Sequence, residues 1–137
     1  MVNLTEVKAS NARIRAILPS GLVAVFVGAT SGIGETSMKQ FAKQTLKPRI
    51  YFVGRSQEAG DRITGECKAL NSEGQYTFIK ADVSLLKIVD EVCREVRSKE
   101  QAVNLLFLSQ GTLQTGASKL PVTSSPLHTL PSLTLVI

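Results

Sequence analysis

Seven consecutive residues, Gly28-Ala29-Thr30-Ser31-Gly32-Ile33-Gly34, carry the clearest chemical signal in this chain. Glycines spaced G-x-x-x-G-x-G let a backbone turn sharply and approach a ligand with no Cβ in the way. An apolar, β-branched run, Leu22 to Val27 (LVAVFV), precedes them, and a helical pattern follows. The first amide N–H groups of a helix lack partners and the positive end of its dipole lies there, so such a turn suits a phosphate or diphosphate. Thr30 and Ser31 can add hydroxyl donors, and Ile33 lines the turn. The general dinucleotide fingerprint is spaced G-x-G-x-x-G, and the same physics serves both spacings. A glycine-rich turn without a ligand is the alternative, and the flanking strand and helix weigh against it.

A second feature lies about twenty residues further on, where a dinucleotide site that takes NAD carries Asp or Glu for the ribose hydroxyls. Gly54 and Arg55 stand there instead. No acid is present to repel a 2′-phosphate, and a guanidinium can pair with one. The expected cofactor is therefore NADP (as NADPH) rather than NAD. An ordinary surface arginine is the competing reading of Arg55. Asp82 and Val83 follow a third apolar segment, and there the carboxylate can at least help start a helix.

Other chemistry finds little support. Cys67 and Cys93 fall in separate helical segments with no CxxC spacing, so no metal site is expected and both should pack as small hydrophobes. His128 has no nameable partner to orient it, which argues against catalysis. A literal Tyr-x-x-x-Lys occurs at Tyr76 to Lys80. In a strand, residues four apart stand about 13 Å from one another, so this pair is not expected to be catalytic. The net charge of +5 is spread over several helical patterns without a polybasic run, which speaks against nucleic acid as a partner. The longest apolar run, Gly21 to Ala29, is too short to span a bilayer, and the first residues lack a signal-peptide core. No membrane partner is expected, and a cytoplasmic location is the default.

The elements that must position these residues alternate. Asn3 to Leu18 reads as a helix, with Asn3 and Glu6 spaced as a capping box and Val7, Ile14 and Leu18 on one face. Strands are expected at Leu22–Val27, Arg49–Val53, Gln75–Lys80 and Val103–Leu108. Helices are expected at Glu35–Leu46, with Ile33, Ser37 and Phe41 in step, at Gln57–Asn71 capped by Ser56, and from a Ser84 cap to Ser98. Gly60 and Gly65 weaken the middle helix by about 1 kcal/mol each. Strands separated by helices imply right-handed crossovers and a parallel sheet. The expectation is an α/β chain: a partial Rossmann fold of four parallel strands in the order 3-2-1-4, with helices on both faces. Residues 1–111 would form this domain, including the N-terminal helix over 3–18. Residues 112–137, rich in Ser, Thr, Pro and Leu, read as an irregular tail in which Ser132 to Ile137 could form a short strand.

The GATSGIG turn resembles the TGxxxGIG cofactor motif of the short-chain dehydrogenase/reductase family, with Val27 where that family usually has Thr. The resemblance runs from about Leu4 to Gly111, and NARI (11–14), VGRS (53–56), KADVS (80–84) and NLLFLSQG (104–111) are similar to fungal-type members. It implies a hydride transfer between a nicotinamide cofactor and a carbonyl or alcohol, of unspecified substrate and oligomeric state. It implies that Gly28, Gly32 and Gly34 shape the phosphate turn and that Asp82, beside Val83, contacts the adenine edge. The family's Asn-Asn-Ala-Gly after the fourth strand is matched here only by Gly111, with Ser109 and Gln110 available for some of its hydrogen bonds. The family's catalytic Ser and Tyr-x-x-x-Lys helix have no counterpart in the expected order. The chain therefore reads as the cofactor-binding half, C-terminally incomplete. The alternatives are a non-catalytic nucleotide-binding or interaction fragment and a site completed by another chain. A fourth strand left without a neighbour would also expose an apolar edge.

Overall fold

The computed structural model describes residues 1–111. The expectations for 112–137, namely the irregular tail, the short strand at its end and the isolated His128, lie outside the described residues.

Three short runs rich in β-branched and aromatic residues and a fourth rich in leucine form strands: β1 (Val23–Val27), β2 (Arg49–Gly54), β3 (Gln75–Lys80) and β4 (Leu105–Leu108). All pairings are parallel and the order is β3-β2-β1-β4. This is the expected order of a doubly wound, Rossmann-like sheet. The reversal falls between β1 and β4, the crevice where such sheets bind ligands at the carboxyl ends of their strands.

Alternation along β1 divides the core in two. Ala24 and Phe26 face one side, where α3 (Gly32–Gln44) and α4 (Gln57–Leu70) supply Met38, Ala42, Ile63 and Cys67. Val23, Val25 and Val27 face the other side, against Val92 and Val96 of α5 (Leu86–Lys99). The central strands are buried on both faces, which is why their sequences read as continuous apolar runs. Asn71 ties the two helices of the first face together: its Nδ2 donates to the carbonyls of Ala42 and Thr45, both at 2.9 Å.

Four local expectations are corrected. The helix expected over 3–18 is two pieces, α1 (Leu4–Ala12) and α2 (Ile14–Ile17). The Arg13 amide reaches back only three residues to the Ser10 carbonyl, 3.1 Å, and tightens the turn there. Neither piece contributes a buried residue, so no packing holds them straight, and Val7 and Leu18 stay exposed. Of the expected capping box, the Asn3 side chain accepts from the Thr5 amide at 3.0 Å. Secondly, α3 begins at Gly32 rather than Glu35, and its buried side is Gly34, Met38 and Ala42, one position away from the Ile33, Ser37, Phe41 row. Thirdly, Ser84 does not cap α5: its amide donates to Asp82 Oδ1 at 3.1 Å, and Leu85 is the capping position. Fourthly, Cys67 is buried as expected but Cys93 is exposed.

Candidate functional site

The turn after β1 is built by close backbone approach. Gly28 has φ +83° and Gly32 has φ +58°, the left-handed region that L side chains resist. A Cβ on Gly28 would stand 2.7 Å from the Gln110 amide nitrogen and 2.9 Å from the Ser109 carbonyl carbon. A Cβ on Gly34 would collide with the Gly28 carbonyl oxygen and Ser109 Oγ, and one on Gly54 with Thr30 Cγ2. Gly32 differs: nothing lies within 4 Å of the place its Cβ would take. Three positions thus make the turn compact, while the fourth leaves the space over the helix start open.

Ser31, extended at φ −163°, is the N-cap of α3, yet its side chain makes no capping hydrogen bond. The first intrahelical bond runs from the Glu35 amide to the Ser31 carbonyl, 3.4 Å. The amides of Gly32, Ile33 and Gly34 precede it at the positive end of the helix dipole, where an anion is favoured. Ile33 is 77% exposed, so its side chain borders the open space instead of filling the core. The residues present fit a dinucleotide's diphosphate: a cradle with no Cβ over it and amides with no side-chain cap.

Ser109 is the residue that sequence reasoning undervalued. Its amide donates to the Val27 carbonyl at 2.9 Å, and its hydroxyl lies 3.3 Å and 3.1 Å from the carbonyl oxygens of Val27 and Gly28. It laces the end of β4 to the glycine turn across the switch point. The signal was its position immediately after β4, in the run Leu108-Ser109-Gln110-Gly111. Gly111 itself is exposed, with nothing near its Cβ position.

Thr30 packs over Gly54, which brings the end of β2 against the turn and sets Arg55 beside it. Arg55 is exposed and makes no ion pair among the described residues. Asp82 follows β3 on the same end of the sheet and is exposed. Hydrogen bonds from Ser84 hold its carboxyl below the usual range, and the Arg55 charge adds to this. Val83 is half-buried against the α5 face of the core. The turn, Arg55, Asp82 and the end of β4 therefore share one edge of the sheet, and Val83 serves its packing.

Tyr76 stands near the start of β3 and Lys80 at its end, where it pairs in register with Gly54. The Tyr76 hydroxyl donates to the Asn71 carbonyl at 2.9 Å, and burial pushes its pKa up to about 12. A phenol held in that way is a poor proton-transfer group near neutrality.

On the α5 face, Leu106 and Leu108 of β4 are 57% and 52% exposed. They border an apolar trough of about 560 Å³ that also takes in Val25, Val27, Val92 and Cys93. Among the described residues, no strand pairs with the far side of β4. No helix of the described residues is long and apolar enough to cross a membrane.

Comparison with known proteins gives a consistent picture. The family profile described as "short chain dehydrogenase" matches residues 22–124. "Oxidoreductase andH" of Emericella variicolor is 45% identical over 93 residues, covering 68% of this chain and 28% of that protein. "Oxidoreductase AN1596" of Emericella nidulans is 40% identical over 116 residues, covering 85% of this chain and 34% of that protein. Among solved structures, the L-sorbose reductase of Gluconobacter frateurii, complexed with NADPH and L-sorbose, superposes with a TM-score of 0.61 at 30% identity. That match covers 68% of this chain and 34% of the reductase. The chain spans about a third of the length of the relatives it matches.

Proposed function

Because the chain belongs to the short-chain dehydrogenase/reductase family, whose members bind a nicotinamide cofactor, we propose that it binds NADP at the β1–α3 turn as the cofactor-binding part of an oxidoreductase. The observation that carries this reading is the uncapped start of α3 beneath an open Gly32, laced to β4 by Ser109. Gly28, Thr30, Ser31, Gly32, Ile33 and Gly34 would hold the diphosphate. Gly111 would border the cofactor beyond β4. Arg55, exposed and without an ion pair among the described residues, would take the 2′-phosphate. Asp82, with Val83 beside it, would meet the adenine edge, its ionised carboxyl able to accept from the exocyclic amine. A relative solved with NADPH supports the choice of NADP. When bound, the cofactor supplies a hydride for a carbonyl or accepts one from an alcohol. The competing reading, nucleotide binding without turnover, is favoured by one observation. Among the described residues no helix carries a Tyr-x-x-x-Lys, and the pair at Tyr76 and Lys80 is in a strand.

Fluorescence titration of the chain with NADPH and NADH tests the binding. NADPH is expected to bind at least tenfold more tightly, and Arg55→Leu to erase that difference, since a charge-assisted contact contributes about 1.5–3 kcal/mol. Equal affinity for the two cofactors in the unaltered chain would remove the NADP assignment. A carbonyl panel with NADPH separates turnover from binding alone.

A further inference from the structure

One residue after the cradle, in the first turn of α3, stands a carboxylate. Glu35 follows Gly34 directly, and its backbone amide closes the first bond of the helix. An acid there stabilises the helix through its dipole. The same negative charge, within about one helical turn or ~5 Å along the axis of the free amides, opposes any anion that those amides attract. The site therefore contains an internal conflict, and the structure contains its resolution.

Arg62 of α4 forks onto Glu35: Nη1 to Oε1 at 3.0 Å and Nη2 to Oε2 at 3.1 Å. Its Nη1 also reaches Glu66 Oε1 at 2.9 Å. Lys39, one turn further along α3, contacts both Glu35 and Glu66. Two cations and two carboxylates form a closed, neutral quartet across the α3–α4 seam. Both oxygens of Glu35 are occupied by the guanidinium, a planar bidentate match that an ammonium cannot reproduce.

We propose that Arg62, assisted by Lys39, is an electrostatic positioning residue for the dinucleotide site: it neutralises Glu35 so that the diphosphate meets the uncompensated positive start of α3. The proposal rests on the NADP-binding reading above, and it names residues in α4 and mid-α3 that lie outside the glycine motif. The partners of Glu35, Arg62 first and then Lys39, hold its carboxyl down to about 2, so the charge that must be balanced is present at every physiological pH. Arg62→Met keeps much of the aliphatic stem and removes the fork, which leaves the quartet with one net negative charge beside the cradle.

NADPH titrations on the full chain decide the matter, with four variants read at low and at high salt. Arg62→Met is expected to weaken NADPH about three- to tenfold at low ionic strength, with the loss shrinking as salt screens the exposed charge. Adding Glu35→Gln to Arg62→Met is expected to restore affinity to within about twofold of the unaltered chain, because the conflicting charge is gone. Glu35→Gln alone, which leaves a net positive quartet, is expected to bind NADPH about two- to fivefold more tightly. Arg94→Met, on exposed α5 surface outside the site, controls for net charge and is expected to change affinity less than twofold. A merely structural role for Arg62 predicts the opposite pattern: no rescue by Glu35→Gln and no salt dependence of the loss. That outcome overturns the proposal, as does an unchanged or weaker affinity in Glu35→Gln alone, a variant that stays informative if Arg62→Met does not fold. If the unaltered chain fails to bind NADPH at all, it is the NADP-binding reading that falls.

Discussion

Gly32→Ala separates binding from folding at the one position where the structure allows it. The residue sits at φ +58°, and nothing occupies the 4 Å around its would-be Cβ. The folded state therefore bears only the left-handed backbone penalty, about 1–2 kcal/mol. Loss of glycine's freedom in the unfolded chain offsets about 0.4–1 kcal/mol of that. The net cost is about 1 kcal/mol. With an unfolding entropy of about 2.1 cal/mol/K per residue over the 111 described residues, this corresponds to a fall in melting temperature of about 4 °C. The added methyl would nevertheless stand in the open space above the amides of α3, where the diphosphate is proposed to lie. NADPH affinity is expected to drop at least tenfold, about 1.4 kcal/mol or more. Gly34→Ala is the contrast. Its Cβ would meet the Gly28 carbonyl oxygen and Ser109 Oγ, so the turn itself must shift and the fold should lose about 2 kcal/mol or more. Thermal melts paired with calorimetric NADPH titrations read both quantities. A folded Gly32→Ala that binds NADPH as tightly as the unaltered chain would refute the placement of the diphosphate over this turn.

Other perturbations test the frame around the site. Glu35 has its pKa lowered to about 2 by its ion pairs, below the unfolded value, so its contribution is complete above about pH 4.5 and is lost as pH falls through about 2. Screened as it is near the surface, it should contribute about 1 kcal/mol, visible in urea melts between pH 2 and 7 and reduced in Arg62→Met, where only the Lys39 pair remains. Gly60→Ala would drive a methyl into the Phe78 ring and should cost about 1–3 kcal/mol, whereas Gly65→Ala, with nothing within 4 Å, should stabilise α4 by about 0.5–1 kcal/mol. Denaturant midpoints of the two variants moving in the same direction would contradict this packing. Asn71→Ala leaves the Ala42 and Thr45 carbonyls without their partner and should destabilise by about 2–3 kcal/mol, measurable in the same melts.

Much of this architecture was legible in one dimension. LVAVFV, RIYFV and QYTFIK are apolar or β-branched runs between helical patterns, and burial on both faces of a parallel sheet leaves few other uses for the first two. The glycine spacing foretold the turn because positive φ and close approach are properties of the residue type itself. What misled was local chemistry read without its neighbours. Ser84 looked like a cap, yet its amide turns back to Asp82. Gly60 looked like a defect in α4, yet it is the contact that admits Phe78. Asn3 to Leu18 looked amphipathic, yet no core surface lies beneath it to reward that face, and it breaks at Arg13.

The sequence by itself determined the strands and the phosphate-suited turn, because hydrophobic period and the steric freedom of glycine act within short stretches of chain, while the strand order came from the general order of dinucleotide-binding sheets. Only the tertiary structure decided that Ser109 laces β4 to Gly28 across 81 residues, that Arg62 meets Glu35 across 27, and that Asn71 closes the ends of two helices. Each of these is a partnership between distant side chains, chosen by the packing of α3, α4 and β4 and invisible to any local pattern. The identity of a residue sets what it can bond. The fold alone sets what stands within 3 Å of it.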